Sequence, residues 1–592
     1  MKLTNMDWSI RVSLLLLGAM VSVPFLDPRH YPFFRHFYGE WLAAALGLSA
    51  CIALVVGRAA HGFAVPRILI VPVGLIAIAL LQLVVQQPIY PSQTIVFVLY
   101  LIWAGMLAVL GHALAGAIGL PRLMHVLAWG LLVGGLFSAL TGILQFANAG
   151  PIYGLVVPLK SVIGNVAQRN HFADELWLAS AAALYLFADK RLNWAYFVLA
   201  ATMLLSASIL SASRSVFLYL IAIITLALVW HRRAPGKDSH KRLFLGALVI
   251  LGLFAALQIV LANWGAPNST DRLLVEASGK SGKSVKLWGW QAALEIFLSS
   301  PLLGVGVGRF SWHMFLTSGP AWFGAPVAEH AHNLLLQLMA ELGLFAAILT
   351  VGGLLAWLVR VLKRDLTTEF WLALALLGVM AIHSQLEYPL WYTFFLGPFA
   401  LVLGAVDNGG YRLQAPRMVR MALAGVMLLG AVFLVRALVD YAPLRHGALP
   451  SIQSTSQEVP LAPPELLEEL RRNVLFTAHI DLRLAAAMPL AGEPLADKLA
   501  LCNDALRFYP IWQVAYKCAL LHALDGQAQQ AAFLWHRAIT VFPAELPRVM
   551  DELRRMPETQ GGVFAGLRTE GEKRLDELRS KGLPTEELIG TH

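Results

Sequence analysis

Long runs of apolar residues recur through the first three quarters of this 592-residue chain, and they constrain its fold more than any other feature. A helix needs about 20 mostly apolar residues to cross the hydrocarbon core of a bilayer. Thirteen segments approach that length, near residues 9–26, 40–57, 68–86, 93–111, 122–144, 172–188, 193–210, 215–231, 242–262, 334–360, 370–386, 389–406 and 418–438. The sequence therefore predicts an all-α, polytopic transmembrane helix bundle of about 13 spans.

Composition and charge agree with a membrane protein. Only 14% of the residues are charged, against roughly 25% in soluble globular chains. The formal net charge of +9 divides into +12 up to residue 440 and −3 beyond it. A nucleic-acid partner is excluded, because its footprint is a basic patch on a soluble face, whereas loop Lys and Arg orient transmembrane helices. Three cysteines also exclude a disulfide-rich secreted scaffold.

The distribution of Lys and Arg among the loops predicts the orientation. Connecting loops on one side carry 18 of these residues and those on the other carry 10, of which five lie in the long loop 263–333. The richer side faces the cytoplasm, and long loops translocate largely regardless of charge. We therefore expect a cytoplasmic N-terminus, with the loops 145–171 and 263–333, the turn 211–214 and everything after residue 440 facing outward.

The segment after residue 440 predicts a separate helical domain. A proline-containing linker leads into helical pairs with the small-residue pattern of a tetratricopeptide unit, and Pro510 and Pro543 are 33 residues apart, close to that repeat's period of about 34. We expect domains 1–440, a membrane part that includes the loop 263–333, and 441–592, a helical part outside the membrane. This helical part either forms a groove for a protein partner or packs as a lid on the membrane part.

Cys502 and Cys518 stand eight residues either side of Pro510, so two antiparallel helices would bring them to the same height. A disulfide is one interpretation. The favoured alternative is two small buried hydrophobes on packed helices.

The outward-facing loops carry the polar groups, and such groups at membrane depth tend to mark function. Gly164-Asn-Val-Ala-Gln168-Arg169-Asn170-His171 runs directly into a predicted span and has more hydrogen-bonding side chains than a helix cap requires. Arg214 opens another span, at the end of a helix that disfavours a cation. That placement suggests an anion nearby, the alternative being an arginine that reaches lipid phosphates.

The long loop 263–333 supplies further cations. It holds Arg272, a stretch with Lys280, Lys283 and Lys286, and then Pro301-Leu-Leu-Gly-Val-Gly-Val-Gly308-Arg309-Phe310. These glycines resemble a phosphate-cradling loop, but no strand precedes them and the Lys-Ser/Thr of a P-loop is missing. We interpret the segment as a tight turn that carries Arg309.

Two polar motifs complete the set. Glu329-His-Ala-His332-Asn333 leads into a span, and imidazole is well suited to accept a proton near neutral pH. His330 is two residues away, a spacing that does not favour zinc, and the chain has no Asp-x-Asp, so no metal site is predicted. His383-Ser-Gln-Leu-Glu387-Tyr388-Pro389 ends another span, with a hydrogen-bonded turn as its alternative role. The motifs together offer cations for a polyanion, a histidine for a proton and an apolar body for a lipid tail. This combination suits a lipid-linked pyrophosphate.

These motifs carry a family resemblance along nearly all of the chain. Gly164-Asn-Val-Ala-Gln-Arg-Asn-His-Phe-Ala173 resembles the N-terminal signature of the bacterial O-oligosaccharyltransferases of the PglL type, within the O-antigen ligase and polymerase (Wzy-C) superfamily. Pro301-Leu-Leu-Gly-Val-Gly306, Ala331-His-Asn-Leu-Leu-Leu-Gln337 and Glu341-Leu-Gly343 resemble the ligase core, and His383 to Leu390 resembles the protein-glycosylating branch. One departure is that Gly343 is followed three residues later by Ala346; because alanine is small, we expect close helix packing there to survive.

The resemblance implies transfer of a preassembled glycan from undecaprenyl pyrophosphate to Ser or Thr of a periplasmic or pilin-like protein, at the bacterial inner membrane and without metal, nucleotide or other cofactor. By position, His332, Gln168 and Tyr388 match residues that the family needs for activity. The arginines Arg169, Arg214, Arg272 and Arg309 are the expected pyrophosphate binders, and Asn170, Asn333 and Glu387 are expected to position sugar or acceptor groups.

Other functions remain open at this point. An O-antigen ligase that uses lipid A core and a glycan polymerase share the donor chemistry and differ in the acceptor. A transporter or flippase predicts internal repeats or broken helices near the midplane. No repeat is visible, and the polar motifs lie at the outer ends of spans.

Overall fold

The structure is a computed structural model, and it describes residues 6–30, 34–57, 64–149, 162–266, 269–270, 285–319, 323–407, 409–412, 416–445, 475–491, 494–555 and 562–580. Arg272, Lys280 and Lys283 therefore lie outside the described residues. Two short strands, β1 (Ala64–Pro66) and β2 (Gly410–Arg412), pair antiparallel with Val65 opposite Tyr411. All other regular structure in the described residues is helical.

The described residues up to 445 contain fifteen α-helices. They are α1 (Trp8–Met20), α2 (Phe37–Val56), α3 (Ile70–Gln86), α4 (Pro91–Ile118), α5 (Leu120–Phe146), α6 (Arg169–Ala188), α7 (Trp194–Leu210), α8 (Val216–Arg233), α9 (Asp238–Asn263), α10 (Val285–Ser299), α11 (Phe310–Thr317), α12 (Leu334–Val361), α13 (Thr368–Ser384), α14 (Thr393–Val406) and α15 (Pro416–Arg445). Each of the thirteen predicted spans coincides with one of them; α10 and α11 lie in the long loop.

Six more helices follow within the described residues. They are α16 (Thr477–Ala487), α17 (Leu495–Phe508), α18 (Trp512–Leu524), α19 (Ala528–Val541), α20 (Leu546–Arg555) and α21 (Ala565–Ser580). Successive helices from α16 to α19 pack on one another, and the Tyr516 and Trp535 rings meet edge to face with centroids 5.2 Å apart. The helical pairs are thus present, while their assignment to the tetratricopeptide class stays a prediction.

The prediction of an all-α membrane protein is confirmed. In the described part of the chain, nine helices are long and apolar enough to cross a membrane, namely α1 with its 3-10 extension, α2, α3, α4, α5, α8, α9, α12 and α15. The helices α7, α13 and α14 are apolar but shorter, and α6 carries charged residues at its start. The count of thirteen spans therefore stays a prediction.

The described chain divides into two compact units. The first comprises residues 1–76, 98–282 and 348–436, and α6 lies at its centre. Every residue of α6 from His171 to Ala188 is buried, against α5, α7, α9 and α13. Small residues allow this close packing: a Cβ added at Gly135 of α5 would lie 2.3 Å from Ala179. Residues 165–175 therefore lead into and begin a helix that close packing holds in place.

The second unit comprises residues 77–97, 283–347 and 437–592. Its core joins the long loop to the C-terminal helices, because Phe310 and Phe315 of α11 pack in one cluster with Tyr516 and Trp535. Arg537 of α19 donates hydrogen bonds to the backbone oxygens of Phe315 and Ser318. The described residues of 285–347 thus fall in the same compact unit as the C-terminal helices, and the predicted boundary at residue 440 stays a prediction.

Cys502 of α17 and Cys518 of α18 form a disulfide bond, with Cα atoms 5.7 Å apart. The favoured interpretation from sequence, two unlinked buried cysteines, is therefore wrong, although both residues are fully buried as it required. The antiparallel pairing of α17 and α18 is what brings the two thiols to one height.

We predict that replacing both Cys502 and Cys518 by serine lowers the free energy of unfolding of the C-terminal helices by about 3 kcal/mol, because the bond closes a loop of 16 residues. Hydrogen exchange of the α17 and α18 amides in the full-length protein measures the change. Cys51→Ala, at the buried free cysteine of α2, is the matched control and should leave this exchange unaltered. Equal exchange in the serine variant and the wild type would contradict the prediction.

Candidate functional site

The N-terminus of α6 is built by the predicted signature. Gln168 is the N-cap residue of α6, and its side-chain oxygen accepts a hydrogen bond of 2.6 Å from the backbone N–H of His171. Such a bond satisfies a donor that the first turn of a helix leaves open. Gly164 adopts φ +57°, and a Cβ there would lie 2.5 Å from the Phe172 ring, so the turn before Gln168 needs glycine.

A buried hydrogen-bond chain connects α6 to two other segments. Ser213 Oγ donates to Asn170 Oδ1 at 2.8 Å, and Asn170 Nδ2 donates to Glu387 Oε1 at 2.6 Å. Glu387 is only 3% exposed. Asn170 therefore uses both ends of its amide and joins the turn before α8 to the segment after α13.

Arg214 lies close to this chain. Burial lowers the pKa of its guanidinium, and the negative charge of Glu387 opposes that effect. The sequence suggested an anion near Arg214, and Glu387 supplies one within the protein. Arg169, the first residue of α6, is partly exposed, and among the residues the structure describes it forms no ion pair with a carboxylate.

Aromatic and imidazole rings pack around Tyr388, the residue that follows Glu387. The fully buried His171 ring lies edge to face with Tyr388, at 6.0 Å between centroids, and with Tyr392, at 4.8 Å. His171 also lies 5.2 Å from His383, whose Nδ1 is 2.5 Å from the Tyr219 hydroxyl. One residue, His171, thus meets Gln168 through its backbone and Tyr388 through its ring.

Sequence reasoning missed several members of this cluster. Tyr219 and Tyr392 gave no signal, because an aromatic residue within an apolar run is usually core packing. Asp174 and Glu175 are also buried in α6, and Glu175 accepts a hydrogen bond of 2.6 Å from Ser138 Oγ. Two carboxyl groups inside an apolar run were a usable signal, since charged groups at membrane depth are costly.

In the second unit, His332 lies where the long loop meets α12. Its backbone is left-handed, with φ +52°, an uncommon conformation for a residue other than glycine. The flanking residues hold it: Asn333 Oδ1 caps α12 by accepting from Leu336 N at 3.0 Å, and Gln337 Oε1 accepts from Ala331 N at 2.7 Å. The predicted positioning residue Asn333 therefore acts on the backbone beside His332, and the His332 side chain is partly exposed.

The glycine-rich segment 301–310 is a tight turn, as predicted, and its backbone bonds to α12. Val305 N and Gly306 N donate to the carbonyl oxygens of Ala340 and Glu341, each at 3.0 Å, while Gly308 N donates to the Glu341 carboxylate at 3.0 Å. These N–H groups bond within the protein and do not form a phosphate cradle, and the predicted role of Arg309 in pyrophosphate binding stays a prediction.

Glycine and alanine residues make this contact with α12 close. Gly343 has φ +78° and kinks α12, and a Cβ there would lie 2.2 Å from the Leu302 carbonyl oxygen. Ala346, where the sequence departs from the ligase pattern, is fully buried, as expected for close packing.

Burial shifts the pKa values of four ionisable groups in the described part of the loop. Burial and the positive charge of Arg309 lower the pKa of His313 to about 4, and burial together with His332 lowers the pKa of His330 to about 3. His330 is therefore neutral at physiological pH. Burial also raises the pKa of Glu329 and lowers that of Arg309. In the described part of the chain no group of three His, Cys, Asp or Glu residues is arranged to hold a metal ion.

The predicted site residues fall in both compact units. Gln168, Arg169, Asn170, Arg214, Glu387 and Tyr388 belong to the first, where the structure brings Gln168, Asn170, Glu387, Arg214 and Tyr388 together. Arg309, His332 and Asn333 belong to the second. Arg272 lies outside the described residues, so its predicted role stays a prediction.

Two parts of the chain are similar to known protein families. Residues 195–351 match the family described as O-antigen ligase, and residues 371–554 match the family described as virulence factor membrane-bound polymerase, C-terminal. The two ranges extend from α7 into α20. Over residues 195–351 the chain is similar to the O-antigen ligase family, in agreement with the resemblance seen in the sequence.

Individual relatives show which kinds of protein this chain is similar to. The chain is 22% identical to the general O-oligosaccharyltransferase of Acinetobacter baylyi over 88% of its own length and 91% of the relative's. It is 22% identical to the ComP-specific O-oligosaccharyltransferase of the same organism over 41% of this chain and 43% of that one. The exopolysaccharide production protein ExoQ of Rhizobium meliloti is 25% identical over 41% of this chain and 58% of its own. These findings confirm the resemblance to O-oligosaccharyltransferases of the PglL type.

We predict that Asn170→Asp destabilises the first unit by about 1–3 kcal/mol, because it replaces the donor to the buried Glu387 carboxylate by a second carboxylate. Asn193→Asp is the matched control, since Asn193 caps α7 through its side-chain oxygen, which aspartate retains. Thermal unfolding in detergent compares the two. Equal midpoints for both variants would show that the Asn170 to Glu387 bond contributes little.

Proposed function

We propose that this protein transfers a preassembled glycan from undecaprenyl pyrophosphate to Ser or Thr hydroxyls of periplasmic or pilin-like proteins. The observation that carries the proposal is the joined set of Gln168, Asn170, Arg214, Glu387 and Tyr388 at the start of α6, in a chain similar to a general O-oligosaccharyltransferase over 88% of its length. A purely structural bundle has no need of five polar groups at one helix end.

The reaction forms one bond and breaks another. The acceptor hydroxyl oxygen bonds to the anomeric carbon of the glycan, and the bond from that carbon to the pyrophosphate oxygen breaks. The pyrophosphate leaves with the electron pair, and His332 accepts the hydroxyl proton on its imidazole. His332 is the proposed base because it is partly exposed and its backbone is held on both sides.

Fixed positive charge stabilises the departing pyrophosphate. Arg169, Arg214, Arg272 and Arg309 are the proposed cations, and their guanidinium groups supply the charge that a divalent cation supplies in other transferases, so the proposed reaction needs no metal. Gln168, Asn170, Asn333, Glu387 and Tyr388 are proposed to position sugar and acceptor groups, either directly or through the backbone they hold.

The proposed location is the bacterial inner membrane, with a cytoplasmic N-terminus and the C-terminal helices in the periplasm. The Cys502–Cys518 bond supports this orientation, because disulfides persist in oxidising compartments and are rare in the cytosol.

A second candidate is a glycan polymerase or O-antigen ligase, in which another lipid-linked glycan or lipid A core replaces the protein acceptor. The similarity to ExoQ over 41% of the chain favours it. Mass spectrometry of pilins from cells with and without this protein separates the two: glycan on a pilin only when the protein is present supports the protein acceptor.

We predict that His332→Ala reduces glycan transfer by at least about 100-fold, the lower range for a general base, because alanine cannot accept the hydroxyl proton. The assay follows sugar passing from a polyprenyl pyrophosphate to a peptide hydroxyl, in the presence of a chelator. His536→Ala, at an exposed histidine of α19, is the control and should retain activity. Wild-type turnover in His332→Ala would remove His332 from the mechanism.

We predict that Arg214→Lys weakens donor binding and slows transfer, because lysine keeps the charge but loses the fork that grips two phosphate oxygens. Arg233→Lys, at the exposed opposite end of α8, is the matched control. Steady-state kinetics with varied donor concentration gives kcat and the KM for the donor. If Arg214→Lys matched the control, the bidentate role of Arg214 would be wrong.

A further inference from the structure

Two arginines from distant parts of the sequence lie on helices that pack together within the second unit. Arg309 is the N-cap residue of α11, and Arg507 lies in the last turn of α17. The helices α11 and α17 pack against each other. Arg507 is exposed and Arg309 is partly exposed.

A second observation also brings Arg309 and Arg507 into one region. The segment that joins α3 to the start of α4 contacts the chain neighbours of both arginines. The Tyr90 ring meets the Phe508 ring edge to face, with centroids 5.8 Å apart, and Phe508 is the neighbour of Arg507. Three residues further on, the Gln93 side chain would lie 3.1 Å from a Cβ at Gly308, the neighbour of Arg309. The residues beside both arginines therefore contact one short segment, residues 90–93.

Charges of both signs surround the two arginines. Each arginine feels the other, since the positive charge of Arg507 adds to burial in lowering the pKa of Arg309. His313, one turn along α11, is neutral at physiological pH because its pKa is about 4. Asp504, one turn before Arg507 on α17, is the acid that interacts with Arg507.

A second acid, Asp481, accepts a hydrogen bond from the Tyr90 hydroxyl at 3.1 Å and keeps its negative charge. Among the residues described by the structure, neither Arg309 nor Arg507 forms an ion pair within 4.0 Å of a carboxylate oxygen. The two guanidinium groups repel each other, and an anion that bridges them relieves this repulsion.

We propose that Arg309 and Arg507 form an anion-binding site to which the C-terminal helices contribute Arg507, and that its ligand is the phosphate group of the lipid-linked donor. Paired guanidinium groups suit phosphate because each presents two parallel N–H donors to two oxygens. The identity of the ligand rests on the proposed function, whereas the existence of an anion site does not. Arg507 is thereby a binding residue outside all the sequence motifs.

Binding of inorganic pyrophosphate to the full-length protein in detergent, measured by calorimetry, tests the site. We expect Arg507→Gln to weaken affinity about tenfold, the loss of one charge-assisted contact of roughly 1.4 kcal/mol, and Arg507→Lys to recover part of it. Because Arg309 and Arg507 would grip one ligand, the two substitutions should be non-additive in a double-mutant cycle. Arg554→Gln, at an arginine on the surface of α20, is the matched control.

Several outcomes would overturn the proposal. Unchanged pyrophosphate affinity in Arg507→Gln, or an equal loss in the Arg554→Gln control, would show that Arg507 is not part of an anion site. An Arg507-dependent affinity for an acidic acceptor peptide, with pyrophosphate affinity unchanged, would assign the site to the acceptor and overturn the phosphate ligand. A thermal midpoint equal to that of the wild type verifies that the variant is folded.

The test separates this site from the proposed reaction. Arg507-dependent pyrophosphate binding in a protein that transfers no glycan would support the site and overturn the proposed function alone. Glycan transfer by Arg507→Gln with unchanged donor KM and kcat would overturn the site alone.

Discussion

A bilayer offers no water to pair with backbone or side-chain polar groups, so a chain that crosses it must satisfy them internally. Helices do this for the backbone, which is why nearly all the regular structure described here is helical. Polar side chains then need their own partners, and the bond between Asn170 and Glu387 is the clearest case. It fixes the start of α6 against the segment after α13, and the neighbouring Gln168, Arg214 and Tyr388 depend on that arrangement.

The helices could be predicted because their signal is local. An apolar run of bilayer length permits only one regular structure, and each of the thirteen predicted segments is helical. The tight turn at 301–310 was also predictable, since three glycines within five residues favour left-handed backbone, and Gly304, Gly306 and Gly308 all adopt positive φ.

Pairings between distant residues could not be predicted. Glu387 lies 217 residues from Asn170, and no periodicity connects them. The Arg309 and Arg507 pair depends on how α11 packs against α17, which the order of elements does not reveal. The Cys502–Cys518 bond shows the same limit at short range, because spacing gave the right geometry but could not choose between a bond and simple packing.

The candidate residues of the two units are held in different ways. In the first unit, the helix cap and the hydrogen bonds of Asn170 hold polar groups at the start of a helix that is buried along its length. In the second unit, the backbone N–H groups of Val305, Gly306 and Gly308 bond to α12, and the Arg309 side chain is partly exposed. Within each unit, charged groups are thus carried by well-packed elements, a condition for electrostatic stabilisation without reorganisation.

The composition of α6 also bears on how the protein is made. This helix begins with an arginine and carries Asp174 and Glu175 in its second turn, which makes its entry into lipid as a lone segment unfavourable. Its neighbours α5 and α7 pack against it, and Ser138 of α5 donates a hydrogen bond to Glu175. During biosynthesis, α6 should therefore leave the translocon only together with its partners, so this part of the bundle is assembled as a group of helices rather than one at a time.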